Sequence, residues 1–452
     1  MDEVKSHAHA YPTKKFFVRM ITRDIDLKDC ILDLIDNSVD NAWAEKGGHI
    51  MSLRDTTDLS DFEIHINITN DCFSIRDNCG GMTLDSAVDH AFNFGRKEFS
   101  PNDNYSIGVY GIGMKRAVFK IGREAEVRST YDEGGERSSF KVPINVDEWV
   151  HDDAPPWDFD IEESSDLGEN GVEIVIQELT EEAESEFSSP EFLADLRWVI
   201  ERDYTLHLHK GLNIFLNGKR LTGWRVELRQ SENFRPMRAE YNDISRDNEV
   251  VVEMVGGMVA PPPESVDPDE DSKGDRLSGW YVACNGRIVL AADKTETTGW
   301  GAEGFPSWHK QYSGFIGIVL FSAQNAAALP LTTTKRNVNS SADLYRRARA
   351  RMQEVSRAWI DYTNQRKRDT ESARHNEEAS RAVSIYDIAP REQVQLPEIE
   401  KKPVVPMANV SYSVPKTKLK KLAREMGNVT MSYRDVGQKS FEYAYEDYVG
   451  ED

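Results

Sequence analysis

Between Leu27 and Ala44 the apolar residues Leu27, Cys30, Ile31, Leu34, Ile35, Val39 and Ala42 recur at helical spacing, which predicts a helix with one face turned inward. Steps of three and four stay on one side of a helix, so Asp33, Asp36, Asn37 and Asp40 fall together on the neighbouring face. The period then drops to two. Phe62, Ile64, Ile66 and Ile68 alternate with polar residues as in a half-buried strand, and a second strand is predicted over Phe73–Asp77 after the turn signal Asn70-Asp71. A helix over 84–91, another from Lys115 to Ile121, and strands over 124–130, 138–143 and 172–177 complete the pattern. It predicts an α+β sandwich, one mixed sheet with helices on one face.

Further along, Ser189-Pro190 opens a long helix running to about residue 209, with proline in its first turn. Strand signals at 214–221, 279–284, 287–291 and 315–322, with an Asn285-Gly286 hairpin turn, predict a second α/β domain. The stretches 152–170 and 261–275 are acidic and contain proline, and read as a surface loop and an insertion. Residues 342–378 form a long polar helix, arginine-rich on one side; 390–406 reads as a linker and 415–426 as a basic helix. Aromatic and acidic residues alternate over 440–448, as in a docking strand. The expected division is 1–185, 186–341, 342–389 and 390–452.

A chain of 452 residues exceeds one ordinary core, which agrees with this division. Its hydrophobic content of 39% and charged content of 29% fit a globular protein, and no run approaches the ~18 apolar residues of a membrane span. The N-terminus, with His7, His9, Lys14 and Lys15, has no apolar signal-peptide core, so a cytoplasmic protein without a membrane partner is expected. Cys30, Cys72, Cys79 and Cys284 have no metal-ligand spacing and are expected as free thiols. The net charge of -23 repels nucleic acid, so binding it would need a local basic surface such as 346–351, 366–368 or 416–421. Otherwise these are solvated helix faces, and nucleic acid stays open as a partner.

Three motifs in order carry the chemistry of ATP. In Asp33-Leu34-Ile35-Asp36-Asn37-Ser38-Val39-Asp40, Asp33 and Asn37 stand one helical turn apart. One can orient a water at a terminal phosphate while the other offers an oxygen to magnesium, with Asp40 a further turn along. In Asp77-Asn78-Cys79-Gly80-Gly81-Met82, a carboxylate at a strand end can accept from adenine's amine, Gly81 lets the base approach the backbone, and Met82 can pack on the ring. Gly108, Gly111 and Gly113 permit a curve of amides facing phosphates, running into a helix N-terminus with Lys115 beside it. Each motif alone is ordinary: an acidic helix face, a tight turn, a glycine hinge.

In this order the motifs resemble those of the GHKL superfamily, which includes DNA gyrase B, the large heat-shock chaperones, histidine kinases, MutL and MORC proteins. Asn37, Ser38 and Asp40 match the N-box, with Asp33 where hydrolytic members carry glutamate. Asp77, Gly81 and Met82 match the adenine motif, and Gly108, Gly111, Gly113 and Lys115 the ATP lid. The resemblance spans roughly the first 180 residues and implies a Bergerat-type ATP-binding sandwich with ATP and Mg2+ as cofactors. The layout is most similar to MutL and MORC proteins, in which a ribosomal-protein-like transducer domain follows, here with a helical C-terminal extension. Lys335, in the run 329–336, resembles the transducer lysine that reaches the terminal phosphate; Arg336 is a weaker substitute. The sequence departs from the family at Asp33, one methylene shorter than glutamate, at Cys79 in place of a glycine, and at Val172 where a threonine often helps hold adenine.

The resemblance implies an ATPase that works as a conformational switch: two protomers close on ATP as a homodimeric clamp, with 11–23, carrying Phe16, Phe17 and Met20, as exchanged arm. Its setting would be DNA or phage defence. The alternative is a nucleotide sensor without turnover, whose tail at 441–448 docks a protein effector.

Overall fold

The computed structural model describes residues 12–95, 105–108, 111–151, 157–263, 276–332, 335–399 and 408–450. Helix α1 (Lys14–Arg23) is capped by Thr13, whose side chain accepts from the Phe16 amide at 3.2 Å. Helix α2 (Leu27–Glu45) follows, and every apolar position named for its inward stripe is buried. Strands β1 (Glu63–Ile68) and β2 (Phe73–Asp77) pair antiparallel with Ile66 opposite Ile75, leaving Asp77 at the strand end. The next helix is one α turn, Leu84–Ser86, continued as a π-helical stretch over Ala87–Ala91.

Helix α3 (Gly113–Ile121) runs directly into the hairpin of β3 (Gly122–Glu133) and β4 (Glu136–Asn145). Helix α4 (Val146–His151), the short β5 (Glu162–Glu163), β6 (Gly171–Leu179) and α5 (Glu181–Phe187) come next. The long helix expected from 190 to 209 is broken: α6 (Pro190–Asp203) stops at Tyr204, whose backbone leaves the helical region, and α7 (Thr205–His209) restarts. Tyr204 is turned inward there, its hydroxyl donating to the Leu32 carbonyl and the Asp36 carboxylate.

Strands β7 (Asn213–Leu216) and β8 (Lys219–Arg220) then add to the first sheet, which has eight strands in the order β5-β4-β3-β6-β2-β1-β7-β8. The boundary expected at 185/186 therefore does not end that sheet, because β7 lies parallel to β1 with Ile64 opposite Ile214. A short β9 (Glu227–Gln230) follows. The second sheet has five strands: β10 (Met237–Ser245), β11 (Asn248–Met258), β12 (Gly279–Cys284), β13 (Arg287–Asp293) and β14 (Phe315–Ala323), in the order β10-β11-β14-β12-β13. The Asn285-Gly286 turn joining β12 and β13 has both residues left-handed, as a two-residue hairpin needs.

Both faces of this second sheet are covered, which explains why β14 is buried along its whole length. Val255, Tyr281, Ala283, Ile316, Ile318 and Leu320 share a core with the first sheet and α2. Val252, Trp280, Val319 and Phe321 pack instead with Tyr345, Met352 and Trp359 of α8 (Asp343–Arg366). The polar helix expected from 342 is thus a cover for the second sheet, ending at Arg366, with α9 (Thr370–Glu378) as a separate helix capped by Asp369. Strand β15 (Arg381–Ser384) pairs with β9. The expected linker is fixed at its start, where Arg391 and Gln395 exchange backbone hydrogen bonds of 2.8–2.9 Å with Arg238 and Arg235. Residues 12–399 belong to one compact unit.

The described part of the second unit holds α10 (Lys416–Glu425) and α11 (Tyr433–Val449). The strand expected over 440–448 is helix: Ser432 caps it, and Phe441 and Tyr445, four apart, stack at 6.4 Å between centroids. The insertion residues 264–275, the linker residues 400–407 and part of the acidic loop, 152–156, lie outside the described residues. All four cysteines are free thiols, and no helix among the described residues is long and apolar enough to cross a membrane.

His207 on α7 gives the core a pH dependence. Trp43 donates to its Nδ1 at 3.0 Å, and burial, helped by Lys210 and Arg287 against the pull of Asp36, pushes it down to about 4. An unfolded chain binds this proton near the ordinary 6.5, so between pH 6.5 and 4 the unfolded state holds more protons and stability falls as pH drops. The expected loss is about 3 kcal/mol by pH 4. His207→Gln keeps an acceptor for Trp43, and should flatten the acid limb of melting temperature against pH.

Candidate functional site

A cavity of about 1030 Å³ opens between α2, the end of β2 and the N-terminus of α3. Its lining includes Asp33, Asn37, Asp40, Asp77, Gly81, Met82, Gly108, Gly111, Gly113, Lys115 and Lys335, all the residues expected of the site. Val109 and Tyr110 of the lid motif, and Thr333 and Thr334 beside Lys335, lie outside the described residues.

Asp77 ends β2 and accepts three hydrogen bonds. Ser38 Oγ donates to Oδ2 at 2.6 Å, while the amides of Cys79 and Val172 donate to Oδ1 at 2.9 and 3.3 Å. Burial pushes its carboxyl above the usual range, against these donors. Cys79 and Val172, two of the sequence departures, each contribute only a backbone amide to this set. Gly81 is left-handed, and a Cβ on it would stand 2.1 Å from the Thr130 carbonyl oxygen. Met82 is fixed through its backbone, which exchanges two hydrogen bonds of 2.8 Å with Ser129 Oγ.

The Asp33 end of the cavity is a buried ion cluster. Lys335 Nζ donates to Asp33 Oδ1 at 3.1 Å and to Asp36 Oδ2 at 2.9 Å. Arg116, in the first turn of α3, pairs with Asp33 Oδ2, and Arg287, at the start of β13, pairs with Asp36 Oδ2. Tyr204 donates to Asp36 Oδ1 at 2.7 Å. Burial opposes ionisation of Asp33, but Lys335 and Arg116 more than offset it and hold the carboxyl below its ordinary value. Gly113 allows this approach: a Cβ there would sit 3.1 Å from Asp33 Cβ. Lys335 itself is left-handed, an uncommon conformation for a lysine, held by its two carboxylates. Its neighbour Arg336 pairs with Asp29 and reaches Asp203 at 3.6 Å, so both basic residues of this loop dock on the acidic face of α2.

The segment 106–108 is braced from two directions. Asp40 accepts from the amides of Ile107 at 2.7 Å and Gly108 at 3.0 Å, and burial against these donors pushes its carboxyl up to about 7. Asn285 donates to the Ser106 carbonyl at 3.0 Å, so the hairpin of the second sheet holds the same segment. Lys115, expected at the phosphates, is buried and donates to the carbonyls of Ala91 and Gly111.

Asn37 is exposed into the cavity, and its side chain makes no hydrogen bond among the described residues. No cluster of three or more His, Cys, Asp or Glu that could hold a metal exists among them. Magnesium bound with a triphosphate takes most of its oxygens from phosphate and water, so one uncommitted amide oxygen fits it. Asp36, Arg116, Arg287 and Tyr204 were not expected. Asp36 was visible on the acidic face without a task, Arg116 follows the glycine motif directly, and nothing in the sequence ties Arg287 or Tyr204 to α2.

No curated protein matches the chain. The family model for the histidine kinase-, DNA gyrase B- and HSP90-like ATPases matches residues 25–171, which span α2, β1, β2, the glycine segment, α3 and the start of β6. This match falls on the elements that build the cavity, and ATP binding is what the family's domain is for. Residues 25–171 of this chain are a GHKL ATPase-family domain.

Proposed function

We propose that this protein is a magnesium-dependent ATPase working as a conformational switch. The observation that carries the reading is Lys335: a cation from beyond β14, far along the chain, reaches Asp33 at the terminal-phosphate end of the cavity. Asp77 would read adenine, with Gly81 and Met82 beside the ring and Asp40 holding the lid. Magnesium, when bound with the nucleotide through Asn37, would neutralise the charge developing on the phosphates. Asp33 would orient the attacking water once released from its cations. A ligand contacted from both sheets couples nucleotide state to their arrangement, because ATP and ADP differ at the atom Lys335 reads.

In this reading two protomers close on ATP as a homodimer. Phe16 and Met20 of α1 are exposed and available for such an arm, whereas Phe17 is committed to its own chain, 4.9 Å from Phe94 and 5.6 Å from Trp157 between ring centroids. For a DNA role or phage defence, the arginines of α8 offer little: Arg347 pairs with Asp243 at 2.7 Å, Arg349 with Glu303 at 3.0 Å, and Arg351 lies 3.6 Å over the Tyr241 ring. The exposed lysines of α10 would have to carry it. Neutralising them should then remove any salt-dependent DNA affinity.

A second reading, an ATP sensor without turnover that docks a protein effector, is favoured by the double ion pairing of the short carboxylate Asp33. Steady-state phosphate release with Mg2+ and ATP separates the two. Turnover supports the switch; stoichiometric binding with none supports the sensor.

A further inference from the structure

The ATP reading gives Arg116 no task. Its side chain is buried at the cavity wall and ion-paired with Asp33, yet its Nε has no hydrogen-bond partner. Three buried cations, Arg116, Arg287 and Lys335, meet two buried carboxylates, Asp33 and Asp36. Arg287 is committed to Asp36, and the next carboxylate on α2, Asp40, accepts the lid amides. Uncompensated buried charge is costly unless an anion completes the cluster. The guanidinium fork is suited to phosphate oxygens, which it can take in pairs.

We infer that Arg116 is a second ligand for the terminal phosphate, and that Asp33 holds the place of that phosphate between Arg116 and Lys335. This deepens the ATP reading and rests on it. A triphosphate carries more charge than one carboxylate, so it competes for both cations; a diphosphate does not reach them. When the two cations turn to the phosphate, Asp33 is released to its water. The nucleotide thereby frees the carboxylate that acts on it, and ADP cannot.

The test is isothermal titration of ATP and ADP, each with Mg2+, into the full chain and its variants Arg116→Gln, Arg116→Lys and Asp33→Asn. Arg116→Gln should weaken ATP about tenfold and leave ADP within about twofold, while Arg116→Lys keeps part of the preference. Asp33→Asn removes the competing anion, so ATP should tighten about tenfold relative to ADP. Melting curves identify a variant that has lost its fold, and Asp33→Asn then still decides. Equal losses for both nucleotides in Arg116→Gln, no loss for either, or weaker ATP binding by Asp33→Asn overturns the inference and leaves the ATP site standing. A wild-type chain that binds neither nucleotide overturns both.

Discussion

Asp33→Asn is expected to lower kcat for ATP at least about a hundredfold without loss of ATP binding, the mark of a group needed for chemistry and not for affinity. The amide cannot orient water as a carboxylate does, but loss of the Asp33 charge frees Arg116 for phosphate and leaves Lys335 paired with Asp36 alone. Asn37→Ala should differ in kind. It removes the oxygen offered to magnesium, so turnover falls with a rise in KM that extra Mg2+ partly offsets. Steady-state kinetics over a magnesium series distinguishes the two patterns. Equal behaviour of the two variants would remove the separate roles given to Asp33 and Asn37.

Arg287→Ala is expected to be the most destabilising single change in the site. Arg287 is 1% exposed, and its guanidinium pairs with Asp36 and lies over the Tyr204 ring. Without it, Asp36 keeps Lys335 as its buried cation, and Lys335 is also shared with Asp33. Breaking one side of such a pair costs about 3–5 kcal/mol, whereas Arg347→Ala, at the exposed pair with Asp243, should cost under about 1 kcal/mol. Urea titration of the two variants gives the comparison directly. A cost for Arg287→Ala as small as that for Arg347→Ala would mean the cluster does not hold the second sheet to α2.

What could be read from the sequence follows the range over which its signals act. The inward stripe of α2, the alternation of β1 and the Asn285-Gly286 turn are local patterns, and the chain folds as they predict. The expected site residues other than Lys335 lie in three local motifs and all line the cavity, whereas His49, Arg116, Glu133 and Ile174, which also line it, lie outside those motifs. Local periodicity misleads where two periods coincide. Phe441, Tyr443 and Tyr445 alternate, but Phe441, Tyr445 and Tyr448 also share a helix face, and helix forms. Pairings across long separations leave no local trace. β7 adds beside β1, and Arg287 meets Asp36 from 251 positions away, so neither the shared core nor the ion cluster had a sequence signal. Arg116 was hidden differently: it stands one residue past a recognised motif, and an arginine after the glycine loop reads as an ordinary helix-surface residue until its burial is seen.

The claim on which the rest depends is that the cavity between α2, β2 and α3 takes ATP through Asp77. Titrating ATP with Mg2+ into the wild-type chain and into Asp77→Asn tests it most directly, with GTP as the control for base recognition. One site per chain, a preference for ATP over GTP, and loss of that preference in Asp77→Asn are predicted. Equal affinity for ATP and GTP in the wild type, or an unchanged ATP preference in Asp77→Asn, would contradict the account.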